Sequence, residues 1–191
     1  CSRHSGVAMN FSFSEEQNQF RDAIRRFMED RSPSSEVRRQ IESGDTFDRA
    51  LWQGLVEDLG VCGIQVSEAA SGSGFGMTEL GIVMEEMGRA LCCAPYFGSN
   101  VLATEAVMRC ADGEHRARLL PEIVSGRRIA ALAVAGADGT WAPEVRVDQS
   151  HFESLINGTS YYVVGGCEAD LLLVVARDAQ SQDDEMSLYA V

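Results

Sequence analysis

The chain has 191 residues, 16 basic against 29 acidic side chains, a net charge of −13, and 45% hydrophobic residues. That length builds one generous domain or two small ones around an ordinary core. The acidic excess excludes nucleic acid and anionic membrane surfaces as partners, since both repel it at long range, and leaves small molecules and other proteins.

Residues 1–12 read as a leader outside the fold, because "CSRHSGVA" precedes Met9 and resembles a misassigned start or an added tail. From Phe13 to about residue 126 the pattern is helical. Ser14 with Gln17 three positions on is a capping-box signature, and Phe20, Ile24, Phe27 and Met28 then recur on one face. Pro33 and its serines stop that helix. A second helix is predicted over 34–43, and a third runs from about Asp48 to a C-cap at Gly60. The glycine-rich "GSGFG" leads into a fourth, with Leu80, Val83, Met84, Met87 and Leu91 as its apolar stripe and Glu79, Glu85, Glu86 and Arg89 as its charged side. Two more helices are predicted at about 98–110 and 113–125. Arg89, near a helix C-terminus, suits the helix dipole and reads as structural.

After Gly126 the period changes. "RIAALAVAG", "SHFESLING", "SYYVVGG" and "ADLLLVVAR" are short, rich in Val, Leu and aromatics, and spaced by Gly, Asp and Asn. That grammar predicts an antiparallel β-domain over 127–191, with "DAQSQDDE" (178–185) as a solvated hairpin loop. "MSLYAV" opens another strand where the sequence stops, so the domain reads as incomplete. The fold class is α+β: an all-α helical domain at 13–126, then an incomplete antiparallel β-barrel-like domain.

Six cysteines show no C-x-x-C pair and no repeating spacing, and the three histidines have no carboxylate or cysteine at ligand spacing, so no metal site is expected. Reduced thiols and the lack of an apolar signal core point to a cytoplasmic protein, and no apolar run is long enough to span a bilayer. Gly72, Gly74 and Gly76 follow helical sequence and lack the Lys-Ser/Thr of a nucleotide loop, so they read as a turn before a helix. No nucleophile elbow is present.

The segment "LVEDLGVCGIQVSEAASGSGFGMTELGIVMEEMGRALCCAP" carries Leu55, Gly60, Gly63, Ile64, Val66 and Glu68, then Gly72, Gly74 and Gly76, then Glu85, Gly88, Arg89 and Ala90. With "LLPEIVSGRRIAALAVA" and "INGTSYYVVGGCEADLLLVVAR" after it, the chain from Phe13 to Val191 resembles the amino-terminal half of the acyl-CoA dehydrogenase family. The resemblance implies an FAD-dependent enzyme that oxidises the Cα–Cβ bond of an acyl-CoA thioester, with a fatty-acyl or steroid side chain as substrate. A carboxylate would remove the α-proton and the flavin would accept the β-hydride. The resemblance places the catalytic glutamate in a carboxy-terminal helical bundle that these residues do not include, so no catalytic residue is assigned here. It also implies electron-transfer flavoprotein as acceptor and assembly into homo- or hetero-oligomers of acyl-CoA dehydrogenase subunits.

Two motifs depart from the family pattern. Where the family has T-E-P-x-x-G-S-D, "VAGADGTWAP" puts Ala135 at the threonine and Gly136 at the glutamate, with Thr140 or Trp141 near the serine. Where the family has N-G-x-K-x-[WY]-[IV]-[TS], aligning Asn157 and Gly158 puts Tyr162 at the aromatic and Val164 at the hydroxyl position. The residues expected against FAD are therefore Leu132, Val134, Ala135, Tyr162 and Val164, with Thr140 near the acyl thioester. Strand alternation would send Tyr161 to the opposite face from Tyr162. Two missing hydroxyls leave a second expectation open, a non-catalytic partner subunit of a heteromeric dehydrogenase. A third keeps the fold but makes the chemistry that of a related flavin oxidase or monooxygenase.

Overall fold

The computed structural model describes residues 12–148, 155–178 and 185–191. The leader, apart from Ser12, and most of the 178–185 loop lie outside them. Helix α1 (Glu15–Arg31) starts at the expected capping box: the Ser14 hydroxyl accepts the Gln17 amide at 3.1 Å, and the Gln17 side chain accepts the Ser14 amide at 2.9 Å. Helix α2 (Ser34–Ser43) follows Pro33 and ends at Gly44 with φ 77°, the left-handed geometry that glycine adopts without a steric penalty. Helix α3 (Arg49–Glu57) is capped by the Asp48 carboxylate on the Leu51 amide.

Between α3 and helix α4 (Met77–Arg89) the glycine-rich segment folds back on itself. Phe75 donates its amide to Ile64, and Gly74 to Val66, each at 2.8 Å. A Cβ on Gly72 would stand 2.1 Å from the Val66 carbonyl oxygen, so only glycine closes this turn unshifted. Ile24, Met28, Trp52, Leu55, Val83 and Tyr96 bury a shared core between these helices. The Tyr96 hydroxyl, sealed inside it, donates to the Val61 carbonyl at 2.9 Å, which satisfies the one polar atom the ring carries in.

One residue of the expected charged side is not on the surface. Glu86 is 1% exposed, with Arg25 forked across its carboxylate at 2.6 and 3.0 Å and the Arg89 Nε at 2.8 Å. Helical spacing alone sets it beside Glu85, but α1 crosses α4 there and supplies the cation that lets the carboxylate be buried.

The 97–110 segment is not one regular helix. Phe97–Ala103 is π-helical and runs directly into α5 (Thr104–Cys110). The Thr104 amide reaches the Ser99 carbonyl, and its hydroxyl donates to the same oxygen at 3.0 Å, holding the widened turn. Helix α6 (Gly113–Val124) starts at an Asp112 cap.

Five strands follow among the described residues: β1 (Ala130–Ala133), β2 (Arg146–Asp148), β3 (Leu155–Asn157), β4 (Leu171–Asp178) and β5 (Met186–Ala190). The sheet is mixed rather than wholly antiparallel. β4 is its centre, parallel to β1 over Leu171–Val174 and to β2 at Arg177–Asp178, and antiparallel to β5 on its other edge. The described residues form an open sheet and no closed barrel. "LLLVVA" is a nearly unbroken apolar run because both faces are covered, which is the habit of a strand with parallel neighbours. One face packs with Val107, Leu119, Leu120 and Ile123 of α5 and α6 through Ala130, Leu171 and Leu173. The other face buries Ala133, Val145, Val147, Val174 and Ala176.

The expected strand at "SYYVVGG" does not form. Tyr161 makes a single antiparallel bridge to Ala135, after which Tyr162 turns to φ 53° and Gly165 to φ 73°, so the chain leaves the extended region.

Candidate functional site

Where β1 runs out, its last side chains meet the irregular 158–166 segment and the π-helix in an open cleft of about 450 Å³. That volume lies within the roughly 300–1,000 Å³ typical of small-molecule sites. Five of the six residues expected at the site line this one cleft: Leu132, Val134, Ala135, Tyr162 and Val164. β1 supplies Leu132 and leads directly into Val134 and Ala135. The bridge from the Tyr161 amide to the Ala135 carbonyl, 3.0 Å, holds the second wall against the first.

The sixth, Thr140, is not in the cleft. It borders a smaller polar cavity with Pro143, Arg146 and Arg177, which shares only Asp138 with the cleft, and its hydroxyl donates to Asp138 Oδ1 at 2.7 Å. Tyr161 departs from its expected place too. Because Tyr162 is left-handed, alternation ends at the bridge and both rings line the cleft, their centroids 6.4 Å apart and their planes tilted by 44°. The Tyr162 hydroxyl reaches back to the Ala137 carbonyl at 3.4 Å, and Gly139 packs beside its ring.

Sequence reasoning did not place Leu102, Asp138, Gly139 and Trp141 in the lining. Trp141, one of the two residues aligned near the family's serine, is a large aromatic in a glycine-containing loop, a signal visible in the sequence; the fold adds that it is 74% exposed. Leu102 carried none, since only the docking of the π-helix on β1 brings it there. Asp138 is the sole carboxylate among the described lining residues. The Thr140 hydroxyl and then its amide hold that carboxyl below the ordinary range. An anion kept low by two donors is a poor proton acceptor at neutral pH.

The walls are apolar and aromatic: Leu102, Leu132, Val134 and Val164 with Tyr161, Tyr162 and Trp141. They suit a flat conjugated ring better than a compact polar ligand. Ala135 and Val164 present methyl groups where hydroxyl donors were expected, so side-chain hydrogen bonds to such a ring from these two positions are absent, each worth roughly 0.5–1.5 kcal/mol net. A wider apolar trough of about 720 Å³ adjoins the cleft, sharing Leu102, Leu132, Val134 and Trp141 and continuing over Val175, Met186 and Leu188.

No group of three or more His, Cys, Asp or Glu among the described residues could hold a metal ion, and no described helix is long and apolar enough to cross a membrane. Burial pushes the Cys62 and Cys92 thiols up to about 12, so neither is a nucleophile at neutral pH.

Comparison with known proteins gives these lines a family context. The family model for the acyl-CoA dehydrogenase N-terminal domain matches residues 14–127. Mitochondrial isovaleryl-CoA dehydrogenase of Pongo abelii is 30% identical over 173 residues, covering 86% of this chain and 40% of that protein. The solved ChsE4-ChsE5 complex from Mycobacterium tuberculosis superposes with a TM-score of 0.81 at 28% identity, covering 96% of this chain and 48% of that one. A glutaryl-CoA dehydrogenase from Mycobacterium smegmatis, solved with FADH2, shares the fold with a TM-score of 0.80 at 19% identity, over 94% of this chain and 46% of that one. The chain thus spans about two fifths of the curated relative's length and about half of the solved chains.

Proposed function

This chain belongs to the acyl-CoA dehydrogenase family, and from that premise we propose that it contributes one wall of an FAD site in an enzyme that desaturates an acyl-CoA thioester between Cα and Cβ. The observation that carries the reading is the convergence of Leu132, Val134, Ala135, Tyr162 and Val164 on one open, largely apolar cleft.

In this reading Tyr162 and the β1 terminus would hold the flavin ring by packing, and Leu102 would close its helical side. Bound there, FAD supplies the acceptor for the β-hydride. By family resemblance the α-proton would go to a carboxylate outside these 191 residues; Asp138, which accepts from the Thr140 amide and hydroxyl, is not assigned as that base. The acyl group, fatty or steroid-derived, would extend along the apolar trough over Val175, Met186 and Leu188, and electron-transfer flavoprotein would be the electron acceptor of the assembled enzyme.

The full-length protein should purify with a flavin absorption spectrum that bleaches on addition of acyl-CoA. A colourless protein that takes up no FAD would refute the reading. A second reading, a supporting subunit in a heteromeric enzyme, is favoured by the methyl groups of Ala135 and Val164. In that case flavin appears only when a second family member is purified with it.

A further inference from the structure

Two residues outside the cleft lining sit where both of its walls are anchored. A Cβ built on Gly98 would fall 2.5 Å from the Val164 carbonyl oxygen and 3.5 Å from the Gly165 Cα, so the π-helix and the 163–166 turn meet backbone against backbone. The turn is closed by the Gly166 amide on the Val163 carbonyl at 3.1 Å and bent by Gly165 at φ 73°. It cannot retreat locally without moving Val164, whose side chain lines the cleft. The next residue, Ser99, is fully buried and its hydroxyl accepts the Ala130 amide at 3.1 Å, fixing the start of the strand that leads to Leu132, Val134 and Ala135. Thr104 locks the same turn by giving both its donors to the Ser99 carbonyl.

We propose that Gly98 and Ser99 are positioning residues: this pair on the π-helix sets the separation of the β1 wall from the Val164 wall, and so the width of the slot offered to a planar ring. The inference rests on the flavin reading of the cleft. The widened turn matters because it brings Gly98, Ser99 and Leu102 to bear on one region, with Leu102 forming the slot's third side. Any side chain at 98 must displace a backbone carbonyl, which cannot rotate away as a flexible side chain would.

The test uses the full-length protein, with FAD binding followed by fluorescence and by the flavin absorption band, at equal folded fraction. Gly98→Ala should weaken FAD binding by roughly tenfold, about 1.4 kcal/mol, and shift the band. Gly72→Ala is the control. It meets the Val66 carbonyl at 2.1 Å, a closer backbone clash than the 2.5 Å at Gly98, but lies outside the cleft lining. It should lower thermal stability while leaving affinity and band unchanged. If Gly98→Ala does not fold, Ser99→Ala decides, since it frees β1 without adding an atom and should weaken binding in the same direction. An unchanged affinity and band in the folded 98 variant, or in Ser99→Ala, overturns the proposal while the flavin reading stands. A wild-type protein that binds no FAD overturns both.

Discussion

At the scale of single residues, Glu86 shows how a charge becomes part of a core. Its carboxylate is nearly solvent-free, while Arg25 and Arg89 remain 41% and 42% exposed, so the ions are half-hydrated on the cation side and the pair escapes the full cost of burial. Hydrogen bonds from Arg25, then from Arg89, bring the carboxyl down to about 2 from an ordinary 4.5. A carboxyl whose folded value is depressed stabilises the fold fully above its unfolded value and loses that contribution as pH falls through the folded one. The window is therefore about pH 4.5 down to about 2. With discounting for the exposed arginines the contribution is about 1–3 kcal/mol. Glu86→Gln should cost that much at pH 7 and flatten the acid limb of a urea-unfolding series. An unaltered acid limb would show that other carboxylates carry it. The sequence hid this residue, because the helical pattern records which side chains share a face and not which neighbouring helix arrives with a cation.

At the scale of elements, local chemistry was legible wherever a cap or a proline decides the outcome. α2 occupies the expected 34–43, and α1 starts at the predicted box, so Ser14→Ala should cost about 1 kcal/mol in urea unfolding. A loss well below that would mean the Gln17–Glu79 hydrogen bond at 2.8 Å holds this end without the cap. The strands were harder. "SYYVVGG" has strand composition, yet a left-handed Tyr162 and a glycine turn interrupt it, and the ladder partner β4 needs is β2 rather than β3. β2 itself, three residues of "RVD", is too short to signal in sequence. Parallel pairing was recoverable from the continuous apolar run of β4, but the short spacing between apolar segments pointed to hairpins. The π-helix left no trace in the periodicity, and the close approach of Gly98 on it to the Val164 carbonyl is a contact only the fold reveals. Thus the wall supplied by 132–135 and 162–164 could be read from motif alignment, whereas Leu102 needed the fold.

At the scale of the whole chain, α5 and α6 share a core cluster with the sheet, and Ile129 links the cluster of the earlier helices to the start of β1. Val107, Leu119, Leu120 and Ile123 from α5 and α6 bury the same cluster as Ala130, Leu171 and Leu173. Ile129, just before β1, packs with the helical cluster around Trp52, whose indole donates to the Gly126 carbonyl at 3.4 Å. A slot that takes Leu102 from one half and Tyr162 from the other keeps its width only if the halves do not separate, so this shared burial also serves the site. Leu173 is 1% exposed at the centre of β4, and Leu173→Ala should remove about 2–5 kcal/mol. Because Leu173 packs with α5 and α6, and Ile129 ties the adjoining helical cluster to β1, that loss should appear equally in both halves. Fluorescence of buried Trp52 and hydrogen exchange of β4, followed in urea, should shift together and by the same amount. Trp141, exposed in the cleft, should contribute little to the fluorescence change on unfolding. If the Trp52 transition stays fixed while β4 melts earlier, the helices fold independently of the sheet, and the slot would have to be assembled by the ligand instead of standing ready for it.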